Sequence, residues 1–265
     1  MSIYICSPYS IRSPHFELAL EVAQRHLDQG WEVYLGACNS AIPCCDVNRT
    51  HRLEVCSRCV GRRLYGLTRL SRAVPQLPVY SLLPGDLDRL DQWMIDFRRN
   101  PCLDSFQVDG FRFGVVVSKA LEMIGARDGH HSDERRLQLL LLRSVLGLYR
   151  STLSHLEAHP ITKVCLFDVN SHPLLEAVVA ACEFSRVAWE EYRDIRPPHF
   201  EVRASDRSSE LAQAELVRLN SESIFEFKGI PLRMSGAFDY LTNQLESRPW
   251  LNRLLSRIER FSRGV

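Results

Sequence analysis

The chain has 265 residues, with 33 Lys and Arg against 32 Asp and Glu, a formal net charge of +1, and 45% hydrophobic residues. That balance excludes a disordered chain, and it argues against a nucleic-acid coat or a membrane-surface protein, because phosphate affinity needs a concentrated excess of cations. A chain of this length buries well over half of its unfolded surface without disulfide staples.

The first six residues carry no basic segment and no apolar core of signal-peptide length. No apolar run approaches the roughly 18 to 20 residues of a membrane helix. A cytoplasmic protein with reduced thiols is therefore expected.

Residues 3–6 read as a strand, followed by a Ser- and Pro-rich loop over 7–14. Ser13 can cap the next helix, with Pro14 at its first position, where a missing N–H costs nothing. Phe16, Leu18, Leu20, Val22, Ala23 and Leu27 give that helix a wide apolar surface, and Gly30 suits a left-handed stop. Residues 31–37 return as a second strand. Two strands joined by a helical crossover run parallel, so the loop after the first opens at the carboxyl edge of the sheet, the usual ligand side.

A cysteine-rich segment follows at the same edge. Residues 53–71 read as a helix weakened by Gly61 and Gly66, 77–82 as a third strand and 86–98 as a helix. Further helices are expected over 111–124 and 133–159, the second closed by Pro160. Residues 163–167, 173–184 and 187–192 form a second strand–helix–strand unit. Residues 193–209 read as a loop, and the chain is helical from Glu210, ending in an amphipathic helix near 250–261. The expected fold is α/β: a Rossmann-like parallel sheet with flanking helices over 1–195, a four-cysteine metal-site insertion at 38–59, and a linker with a helical C-terminal extension over 196–265.

Of nine cysteines, Cys38, Cys44, Cys45, Cys56 and Cys59 crowd into one segment. The spacing Cys38-x6-Cys45-x10-Cys56-x2-Cys59 offers two pairs of soft ligands, and its CxxC half lets two thiolates grip one tetrahedral ion. Structural zinc is the first expectation, with an iron–sulfur cluster or metal-free buried thiols as alternatives. Cys44 could replace Cys45, and His51 is a fifth candidate. Arg49, Arg52, Arg58, Arg62, Arg63, Arg69 and Arg72 make the segment basic. Tyr65 is the one aromatic among them, too few for a nucleic-acid platform. The arginines would face a nucleotide diphosphate or anionic glycolipid headgroups, or form a solvated or salt-bridged face.

The order of these features resembles a bacterial family of surface-polysaccharide glycosyltransferases, capsular or O-antigen, with the two-domain GT-B architecture. The matching elements are Ser7-Pro8, His15-Phe16-Glu17, Gly30-Trp31-Glu32-Val33, the cysteine segment with Asn48, Gly66-Leu67, Val108-Asp109-Gly110-Phe111 with Gly114 and Ser118, the strand 164–167 and the strand ending at Glu191. The likeness covers roughly residues 1–195. It implies the acceptor-side half of such an enzyme, in the cytoplasm or peripheral at the inner membrane, acting on a sugar or glycolipid acceptor.

The chain departs from the family in two places. Where members carry Asn-Gly-Arg after the strand ending at Phe167, this chain has Asp168-Val169-Asn170-Ser171-His172. A nucleotide sugar also needs a second Rossmann-like domain, and the residues after Arg193 are too few to build one. A donor-domain subunit is therefore the implied partner, with homo-oligomerisation through the C-terminal helix as another arrangement. The alternative is a non-catalytic, zinc-stabilised binding or assembly protein.

Glycosyl transfer to a hydroxyl needs a general base at the acceptor oxygen. His15, at a helix start on the carboxyl edge, is the first candidate, followed by Glu17. Glu191, ending the last strand there, would orient a base or bind sugar hydroxyls. Asp168, Asn170, Ser171 and His172 form a polar turn suited to substrate, although Asn170 or Ser171 could instead cap the next helix. Asp109, before Gly110, is a further substrate-binding candidate or a plain turn.

Overall fold

The computed structural model describes residues 1–12, 15–45, 47–49, 52–128, 134–196 and 199–204. Strands β1 (Ser2–Cys6), β2 (Glu32–Ala37), β3 (Gln76–Pro78), β4 (Lys163–Phe167), β5 (Ala188–Arg196) and β6 (His199–Ala204) form one sheet in the order β3-β2-β1-β4-β5-β6. The first five are parallel, and β6 runs antiparallel to β5. Helices α1 (His15–Asp28), α2 (Leu53–Leu67), α3 (Pro84–Arg99), α4 (Phe113–Asp128), α5 (Glu134–Ala158) and α6 (Glu176–Ser185) flank it. The architecture is α/β and Rossmann-like, as the alternation of strand and helix patterns predicts. No helix among the described residues is long and apolar enough to cross a membrane.

Strand β1 is buried along its whole length, which is what a central parallel strand covered on both faces requires. Ile3 and Ile5 pack under Leu18, Ala19, Val22 and Ala23 of α1. Tyr4 and Cys6 belong to the opposite core, with Val145, Leu148 and Tyr149 of α5 and Ala177 and Ala181 of α6. Helix α1 stops as its sequence announces. Gly30 takes φ +78, its N–H bonds Leu27 O, and Trp31 N–H bonds His26 O, a Schellman stop.

Several boundaries differ from expectation for local reasons. The third strand covers 76–78, not 77–82, because Ser81 N–H bonds Ser151 Oγ, whose hydroxyl donates to Ser81 O and draws the chain onto α5. The helix expected from 111 starts at Phe113, since Val108 and Phe111 bridge across Asp109-Gly110, both at positive φ, a mirror-image hairpin turn. The helix expected over 173–184 opens with tight 3₁₀ turns at Val169–Ser171 and Pro173–Leu175. The charged stretch expected as loop from 193 instead prolongs β5 and returns as β6. Its register sets Glu191 opposite Arg203 and Arg193 opposite Glu201. Ser13, Pro14, His51 and the stretch after Ala204, where a helical extension is expected, lie outside the described residues.

Candidate active site and cysteine pocket

The chain leaves β1 toward β2 and β3 on one side and returns to β4 and β5 on the other. The strand order therefore reverses between β1 and β4, the point beyond whose carboxyl ends open α/β sheets place their ligand crevice. His15, the first residue of α1, stands on one side of it, and Asp168, directly after β4, on the other. His15 Nε2 lies 3.2 Å from Asp168 Oδ2.

Asp168 is held in place from several directions. Its φ of 51° and ψ of 57° are left-handed, a strained conformation costing on the order of 1–3 kcal/mol outside glycine. Its N–H bonds Tyr192 O at 2.9 Å. The hydrogen bond from His15 pulls its carboxyl down to about 2 against the opposing effect of burial, and the Ser171 hydroxyl adds to the pull. An ionised Asp168 accepts from the imidazole, so Nε2 carries a hydrogen, and in the neutral ring the lone pair then falls on Nδ1. That Nδ1 is buried and has no hydrogen-bond partner among the described residues. The buried His172 ring lies edge-on to His15 at 6.0 Å and against Tyr9 at 4.6 Å.

The two expected catalytic glutamates are engaged elsewhere. Glu17 is buried and ion-paired with Arg62 of α2. Glu191 is fully buried and accepts from Val169 N–H at 2.9 Å and Arg193 Nε at 2.7 Å, which fixes the turn carrying Asp168. Asn170 is exposed, and Ser171 serves Asp168. Neither caps α6 through its side chain: the residue preceding that helix is Leu175. Asp109 accepts from the Tyr149 hydroxyl at 3.0 Å, a contact with α5 rather than with the crevice residues. Tyr9 escaped the sequence reading; the signal was an aromatic residue inside the Ser- and Pro-rich loop.

Cys38, Cys45, Cys56 and Cys59 line one pocket with Pro8, Ile42 and Val55. Cys45 rather than Cys44 faces it; Cys44 is buried in the core, its N–H on Ser144 Oγ. Burial pushes the Cys38 and Cys59 thiols up, and main-chain N–H groups oppose this, Ser40 and Ile42 at Cys38, Ile11 and Ser10 at Cys59. Arg63 favours both thiolates as well, and donates to Cys38 O at 2.5 Å and Asn39 Oδ1 at 3.0 Å. Asn48 holds the start of α2: its Oδ1 accepts Arg52 N–H, and its Nδ2 donates to Arg52 O and to Cys56 Sγ at 3.1 Å. Soft sulfurs surrounded by N–H donors suit a thiophilic ion. The thiols are not already gathered as ligands, however: no three His, Cys, Asp or Glu side chains among the described residues are arranged to hold a metal.

The arginines of this segment are not one free basic face. Arg62 and Arg63 turn inward, Arg72 donates to Trp31 O, and Arg69 stands over the Tyr65 ring.

No family model matches the chain, and no curated protein matches it. Among solved structures, one described as the structure of a CDPS from Fluoribacter dumoffii is similar at 11% identity and a TM-score of 0.45, over 77% of this chain and 90% of that one.

Proposed function

We propose that the chain is the acceptor-side half of a GT-B-type glycosyltransferase of bacterial surface-polysaccharide synthesis, completed by a donor-domain partner. The observation that carries this reading is the His15–Asp168 pair across the crevice at the sheet's reversal point. Asp168 orients the imidazole, and His15 Nδ1, enclosed in the free chain and uncovered as the acceptor enters beside Tyr9 and His172, takes the proton of an acceptor hydroxyl as that oxygen bonds to the sugar's anomeric carbon. The bond to the nucleotide diphosphate breaks in the same step, and the proton passes on to the departing phosphate or to water. The donor half supplies the cations for that leaving group. His172 and Tyr9 wall the acceptor, while Glu17 and Glu191 hold the elements that present His15 and Asp168.

In the same reading the cysteine pocket takes a structural zinc ion on Cys38, Cys45, Cys56 and Cys59. The chemistry of the donor set supports it: four soft sulfurs, two of them ringed by N–H groups.

The test is sugar transfer by the chain co-purified with its donor-domain subunit. His15→Ala should cut turnover by about 100-fold or more, the usual worth of a general base. A complex that turns over equally well without His15 would sink the catalytic role. A folded chain inert with every nucleotide sugar, its donor subunit present, would instead favour the non-catalytic assembly protein.

A further inference from the structure

One face of α2 carries Cys59, Arg62 and Gly66, spaced to fall in a row. Each touches the approach to His15. Cys59 accepts from Ser10 and Ile11 N–H and directs its thiol at Pro8 O, 3.8 Å away. Arg62 donates to Ile11 O at 3.1 Å and pairs with Glu17, two residues beyond His15. Gly66 lies against Phe16, the residue next to His15, so closely that a Cβ would meet its ring at 2.6 Å. The loop itself is tied into α1, because Arg12 N–H bonds Tyr9 O and Phe16 N–H bonds Arg12 O. The next residue along, Arg63, reaches the other wall of the pocket at Cys38 and Asn39. Helix α2 is thus the common support of the cysteine pocket and of His15.

We propose that Arg62 is a positioning residue for His15 and that it transmits closure of the cysteine pocket to the His15–Asp168 pair. No three of these thiols are arranged to hold an ion among the described residues, so gathering four onto one divalent ion brings together the pocket wall on α2, with Cys56 and Cys59, and the wall with Cys38 and Cys45. That movement carries α2, and Arg62 carries the Ser10–Ile11 loop and Glu17 with it. His15 then shifts relative to Asp168, which is fixed independently by Glu191 and Tyr192. The inference rests on the metal reading of the pocket given above.

The experiment uses the full chain with isotope-labelled histidine, stripped of metal under reducing conditions and titrated with Cd²⁺. One equivalent should bind, and the His15 ring resonances should shift in proportion to occupancy, while His155 and His159 on the far face stay still. In Arg62→Gln one equivalent should still bind, with the His15 shift reduced several-fold; Arg62→Lys, keeping the charge on Glu17, should recover part of it. If Arg62→Gln does not fold, the wild-type titration and Arg62→Lys decide alone. One bound ion with His15 unmoved overturns the coupling and leaves the metal reading standing. No bound ion overturns both.

Discussion

Asp168 Oδ2 and His15 Nε2 meet at 3.2 Å although 153 residues separate them. The parallel pairing of β1 with β4 makes this possible, because Cys6 and Leu166 lie side by side and both strands end toward the same crevice. The pair is accordingly sensitive to whatever holds the two loops after these strands.

Acid stability should report the pair directly. The folded Asp168 carboxyl, drawn down to about 2 first by the hydrogen bond from His15, ionises more readily than in the unfolded chain, where about 3.9 is usual. Its contribution is present in full above that unfolded value and is lost as pH falls toward 2. Asp168→Asn should therefore flatten the dependence of urea stability on pH between about 4 and 2. Parallel pH dependences in the two proteins would show that the pair contributes nothing.

Glu191 is the support to remove on the β4 side. Glu191→Ala strands the buried Val169 N–H and the Arg193 guanidinium, a cost of about 1–3 kcal/mol for the orphaned donor alone. Equilibrium unfolding should show at least that loss. Glu191→Gln should recover part of it, because a carboxamide oxygen can still accept from Val169.

The alternation of strand and helix patterns made most of this fold legible, and β4 was read to the residue. Misreadings arose where a local partner overrode the pattern. Ser151 took Ser81 out of the third strand, and the charged stretch from 193 pairs as the end of β5 with β6 rather than running as a loop. His15, Asp168 and His172 were legible because each stands beside a strand end or helix start. Their mutual contact was not, since it depends on β1 and β4 being neighbours. Glu17 and Glu191 show the opposite failure: carboxylates at the right edge whose oxygens are taken by Arg62, Val169 and Arg193.

Another buried ion pair lies at the start of β4. Lys163 Nζ stands 2.7 Å from Glu190 Oε2, and Glu190, fully buried, also accepts from Cys165 Sγ at 2.8 Å and from the Tyr192 hydroxyl at 3.1 Å. Removing one partner leaves an uncompensated charge, so Lys163→Met should cost about 3–5 kcal/mol. Adding Glu190→Leu to Lys163→Met should restore much of that loss. Denaturant midpoints for the two single variants and the double variant would check the sign and the coupling together.

The same substitution at two helical glycines should act in opposite directions, because only one of them faces a neighbour. At Gly66 a Cβ would come within 2.6 Å of the Phe16 ring and 2.7 Å of Leu20, so Gly66→Ala must push α2 off the start of α1. Overpacking of this kind costs about 1–3 kcal/mol, more than the helix propensity that alanine returns. At Gly125 in α4 nothing lies within 4 Å of the added methyl. There the loss of backbone freedom in the unfolded chain and the gain in propensity act alone, and Gly125→Ala should stabilise by about 0.5–1 kcal/mol. Thermal midpoints moving down for Gly66→Ala and up for Gly125→Ala would bear out the packing of α2 on α1. A rise at both positions would mean that the two helices are not in close contact at Gly66, and the path from the cysteine pocket to His15 would lose its support.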